Sequence, residues 1–77
     1  MGSRQRTAVA EEFGRRVRAR RLDLSLSQEA LAERAGMHWT YLGSVERGER
    51  NIALMNIVRL ASALGIDCAE LVAGLKP

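Results

Sequence analysis

Seventy-seven residues make one domain, close to the lower limit for a chain that folds around its own core. Hydrophobic residues at 47% against 27% charged mark a globular chain and exclude a disordered one. The single cysteine, Cys68, excludes an intrachain disulfide and a Cys-rich zinc site, which suits a reducing cytosol.

No apolar run approaches the roughly 18–20 residues that span a bilayer, and the N-terminus has no signal-peptide core. The formal net charge of +3 is unevenly spread. Residues 1–25 carry seven arginines against Glu11, Glu12 and Asp23, while the remainder holds five bases against six acids. Two readings stay open: one face turned to a polyanion, or a solvated arginine-rich helix. With one His, one Cys and no convergent set of acids, the chain offers no catalytic constellation, so no enzyme, cofactor or metal site is expected.

Residues 1–8 read as a flexible N-terminal arm, in which Met1-Gly2-Ser3 is compatible with the remnant of a tag. Residues 9–77 read as a single domain. The first helical pattern runs from about Thr7 to Leu22, with Phe13, Val17 and Arg21 on one face at i, i+4 and i+8. Asp23-Leu24-Ser25 breaks it. Ser27 suits an N-cap for a second helix, Gln28-Glu29-Ala30-Leu31-Ala32 are good helix formers, and Gly36 suits a left-handed stop.

A third helix spans about His38 to Arg47 and is ended by Gly48. A fourth covers about Leu54 to Leu64, with Leu54, Ile57, Ala61 and Leu64 as its buried stripe and Gly65 as its stop. Asp67 and Glu70 make an acidic capping box for a fifth helix to about Gly74, burying Ile66, Leu71 and Val72. Short helices with short connections and no strand pattern predict a compact all-α domain of five helices.

The second and third helices carry the functional signal. Ala32 is small where two helices must approach closely, Gly36 lies in the turn, and Leu42 and Val45 face inward. With Arg21, the run Leu26-Ser27-Gln28-Glu29-Ala30-Leu31-Ala32, the phrase Val45-Glu46-Arg47-Gly48 and the tail Leu60–Ile66, the chain resembles the Xre/Cro-like helix-turn-helix family of phage repressors and bacterial regulators. The likeness covers about Phe13 to Leu75. Within that family, Thr40 to Asn51 is similar to the controller proteins of restriction–modification systems.

The resemblance implies a lambda-repressor-like fold and a sequence-specific transcriptional regulator. It would be cytoplasmic, bacterial or phage-encoded, and would act as a homodimer on a palindromic operator. It also implies a partly buried ion pair between Arg21 and Glu46. The alternative from another class is an antitoxin that sequesters a toxin and regulates its own operon.

Helix geometry then distributes roles. With Leu42 and Val45 inward, Trp39, Thr40, Gly43 and Ser44 are expected on the exposed face, and base readout is expected from Trp39, Thr40, Tyr41 and Ser44. Phosphate contacts are expected from Ser27, Gln28, His38, Arg47, Arg50 and Asn51. Trp39 departs from the Arg or Gln that the family often places there. Its indole has one donor and a large apolar face, so it either folds back as an anchor or meets thymine methyls and sugar edges. His38 reads as a helix-start or phosphate residue and not a metal ligand. One recognition helix reads few base pairs, so a dimer is expected, with Cys68, Val72 and Leu75 of the fifth helix as its interface.

Overall fold

The computed structural model describes residues 6–77, and all regular structure among them is helical. Thr7 has extended backbone, and its Oγ1 accepts the Ala10 N–H at 3.0 Å, which starts α1 (Ala8–Asp23). Of the expected arm, residues 1–5 lie outside the described residues. Residues 6–8 belong to the folded unit instead: Thr7 caps α1, Ala8 opens it, and Arg6 reaches Glu49 at 2.7 Å.

Ser27 Oγ accepts the Ala30 N–H and opens α2 (Gln28–Ala35), which stops on Gly36 at φ 69°. The left-handed backbone there costs glycine nothing. After Met37, His38 caps α3 (Trp39–Glu46). α4 (Leu54–Leu64) follows without a side-chain cap, and Asp67 opens α5 (Cys68–Val72) by accepting the Ala69 N–H. Glu70 lies exposed in the first turn of α5.

α1 packs on α3, α2 lies between α3 and α4, and α5 closes against α4 and α1. Phe13, Val17, Leu31, Leu42, Val45, Leu60, Leu64 and Leu71 meet in one core cluster. The α1–α3 contact depends on a glycine. A Cβ at Gly14 would stand 2.3 Å from the Val45 carbonyl oxygen and 2.6 Å from that of Glu46.

Two expectations about the core are corrected. Leu54 is 74% exposed, because it opens α4 at the end of the helix beyond the cluster, and Leu60 takes a place in the buried stripe. Val72 is also exposed, since α5 ends there.

The arginines of α1 are largely spent inside the fold. Arg20 Nε donates to the Leu64 carbonyl at 3.1 Å, and Arg16 Nη1 to the Ala73 carbonyl at 2.8 Å. Each sets a cation on the negative, carbonyl end of a helix. Arg16 and Arg15 also pair with Glu12, and their hydrogen bonds hold its carboxyl below the ordinary value of 4.5. No helix among the described residues is long and apolar enough to cross a membrane.

Candidate nucleic-acid interface

α3 is held at its C-terminal end, on the flank toward α2, by a polar junction. Glu46 takes a bidentate pair from Arg21, with Nε to Oε2 at 2.7 Å and Nη2 to Oε1 at 2.9 Å. Arg21 Nη1 also donates to the Leu26 carbonyl at 2.9 Å, and Gln28 Nε2 donates to Glu46 Oε1 at 3.0 Å. The hydrogen bond to Glu46 raises the Arg21 pKa further, outweighing the opposing effect of burial. One junction thus ties α1, the α1–α2 loop, α2 and α3 together. It anchors the C-terminal end of α3 against α1 and α2.

The leading turn of α3, on the same flank one turn of helix and more away, is open. Trp39 is 49% exposed and Thr40 is exposed beside it. His38 Nδ1 accepts the Thr40 N–H at 3.1 Å and lies 2.7 Å from Thr40 Oγ1. A nitrogen that accepts the backbone N–H carries no proton, so the Thr40 hydroxyl donates to it and the imidazole proton sits on Nε2. The imidazole also stacks against the indole, with ring centroids 6.1 Å apart and planes at 23°.

One turn along, Gly43 has no side chain, and the Arg47 guanidinium occupies the space. Its Nη1 lies 3.2 Å from where a Cβ would stand, and Gln28 Oε1 lies at 3.5 Å. Arg47 is held there by Glu49, which accepts from its Nε at 3.2 Å and its Nη2 at 3.3 Å while also taking Arg6. The outward face therefore runs from an indole and a threonine to a braced guanidinium that lies over the Gly43 backbone. A shallow cleft beside it is lined by Trp39, by Arg21 of the junction, and by the start of α2, Ser27, Gln28 and Glu29.

The helix-turn-helix family profile matches residues 17–71. The chain belongs to the helix-turn-helix family. It is 46% identical over 70 residues to the control protein C.SmaI of Serratia marcescens, covering 88% of this chain and 83% of that protein. It is 45% identical over 60 residues to the control protein C.BamHI of Bacillus amyloliquefaciens, covering 77% and 74%. The crystal structure of the restriction–modification controller protein C.AhdI from Aeromonas hydrophila superimposes with a TM-score of 0.83 at 48% identity, covering 84% of this chain and 98% of that one.

Within this helix-turn-helix the expected site residues divide. Trp39, Thr40, His38, Arg47 and Asn51 are exposed, as is Ser27. Ser44 is a correction: it is buried, its Oγ donates to the Tyr41 carbonyl at 2.6 Å and accepts from Arg50 Nε at 3.0 Å. α3 is close enough to the loop after it for Arg50 to fold back, so Ser44 braces that return instead of facing outward. Gly43 is likewise covered, by Arg47 and Gln28.

Tyr41 is half-buried and turned toward α4, where Asn56 Nδ2 donates to its hydroxyl at 3.4 Å. The Arg50 guanidinium covers its ring at 5.6 Å. Gln28 spends one amide proton on Glu46 and keeps the other.

The interface residues move as well. Cys68 and Leu75 are half-buried and pack against the core, so only Val72 of the three is exposed. The larger apolar surface is on α4, where Leu54, Met55 (58% exposed) and Val58 face outward. Sequence reasoning places Gly43 on the exposed face, whereas it is buried beneath Arg47 and Gln28, and gives Glu49 no role. A glycine inside a helix costs about 1 kcal/mol against alanine, and that penalty was the available signal that something needs the room.

Proposed function

We propose that this helix-turn-helix regulator acts as a homodimer on a two-fold-symmetric operator and serves, in the cytoplasm, as the controller of a restriction–modification system. The observation that carries the reading is the outward face of α3, which presents Trp39, Thr40 and the Arg47 guanidinium on a helix locked along its α2 side by Arg21, Glu46 and Gln28. A helix offered in this way fits the major groove, with its leading turn on base edges.

Around it stand donors suited to phosphate: the Ser27 hydroxyl and the second Gln28 amide proton at the positive end of α2, His38 Nε2–H, Arg50 and Asn51. Such contacts set register and most of the affinity. The controller assignment is supported by similarity to C.SmaI and C.AhdI over most of the chain. The dimer is supported by the exposed Leu54, Met55 and Val58 on α4 with Val72 on α5, an apolar surface that a second copy related by a two-fold axis would cover.

The test is a titration of the DNA upstream of the protein's own gene at several salt concentrations. Specific binding that weakens with salt by a slope of about −0.9 for each phosphate contacted, over half-sites about one helical turn apart, is the expected result. Binding with no preference for that DNA over a scrambled duplex would overturn the reading. For the dimer, sedimentation should show the wild type as a dimer and Leu54→Asp as a folded monomer. A monomeric wild type at micromolar concentration would contradict it.

A further inference from the structure

We infer that the leading turn of α3 reads the C5-methyl groups of thymine, through the Trp39 indole and the Thr40 methyl, and does not read guanine. The inference rests on the DNA-binding role proposed above and concerns what that same face recognises.

Three observations carry it. The indole is the largest side chain at the start of α3, it is 49% exposed, and it stands beside the N-terminus of α2. Large apolar surface left in water is unfavourable by about 25 cal/mol for each Å², so a ring held open there is suited to an apolar partner. Second, the side-chain hydroxyl protons of α3 near it are engaged. The Thr40 hydroxyl proton goes to His38 Nδ1 at 2.7 Å, and Ser44 is buried between the Tyr41 carbonyl and Arg50. Third, the imidazole stacks on the indole, with centroids 6.1 Å apart, and enlarges the aromatic surface offered there.

What remains at the front of the leading turn is an aromatic face with a single N–H donor, a methyl group and the acceptor lone pairs of one hydroxyl, with no fork of donors. Guanine offers two acceptors and is gripped by a fork of donors, which Trp39 and Thr40 do not present. Thymine alone among the bases shows an apolar group in the major groove. Arg47, at the far end of the same face, remains a separate contact.

The test uses the full chain and a duplex selected by it from a random-sequence pool, remade with deoxyuridine for each thymine in turn. Deoxyuridine keeps every hydrogen-bonding group and removes only the methyl. The wild type should lose about fourfold in affinity for each methyl contacted, the worth of one buried carbon. Trp39→Ala should bring the ratio close to one at the thymines the indole meets, and Thr40→Ser, which keeps the hydroxyl and loses the methyl, at those that Thr40 meets.

Trp39 is half-exposed, so the variant should fold, and its circular dichroism melt checks this. Sequence-specific binding by the wild type with no sensitivity to any deoxyuridine overturns the inference and leaves the regulatory reading intact. So does a Trp39→Ala protein that keeps the wild-type ratio. Selection that enriches no sequence overturns both.

Discussion

The two faces of α3 are built on opposite terms. On the inward side Leu42 and Val45 lie in the core and Gly14 brings the α1 backbone against the Glu46 carbonyl, while on the flank toward α2 the Glu46 carboxylate takes Arg21 and Gln28. In front, Trp39 and Thr40 are open and Arg47 lies along the surface, held only by the neighbouring Glu49. A helix of eight residues cannot be both specific and rigid with the same side chains. The division lets stability sit on one face and recognition on the other, and it makes the two separable by mutation.

The largest effect should come from the anchored side. Glu46→Gln leaves the Arg21 guanidinium buried without its counter-charge, and should cost about 3–5 kcal/mol in chemical denaturation. DNA affinity of the fraction that remains folded should change much less. A melting temperature equal to wild type would break the comparison. Gly14→Ala comes next, at about 1–3 kcal/mol, because a backbone carbonyl cannot move aside as a side chain can. Full stability in that variant would mean that α1 and α3 separate without cost.

The front should behave in reverse. Arg47→Ala is expected to leave stability within about 0.5 kcal/mol of wild type, since its pair with Glu49 is exposed on the arginine side. The same variant should weaken DNA binding. If Arg47 meets phosphate, the salt slope should also fall by about one.

The smallest effect lies away from α3, at Glu12. Its carboxyl is held below the ordinary value of 4.5 by Arg16 and then Arg15, so its contribution is present above that value and fades as pH falls through the lower folded value. Glu12→Gln should therefore narrow the stability difference between neutral and acidic solution slightly. It should leave binding unchanged.

What was legible in the sequence follows the range of the interactions. Ser27, Gly36, Gly65 and Asp67 mark helix ends through bonds to residues two to four places away, and all five helices could be placed from such signals. Inward Leu42 and Val45 followed from helical phase. Phase does not say where a helix outruns its neighbours, so Leu54 was assigned to the core and the apolar surface of α4 was missed. Nor does composition reveal partners: the basic first helix suggested a polyanion, while Arg16, Arg20 and Arg21 are taken up by Ala73, Leu64 and Glu46. Ser44 failed for the same reason. Its burial depends on Arg50 folding back, a contact that helical spacing alone does not predict.

Trp39 is the only tryptophan in the chain, and it stands on the open face. Its fluorescence during titration with a selected duplex is therefore the most direct test of which face meets DNA. Emission should be quenched and become inaccessible to iodide in step with binding followed by anisotropy of labelled DNA. Saturated binding with tryptophan emission and iodide access unchanged would contradict the assignment of the two faces.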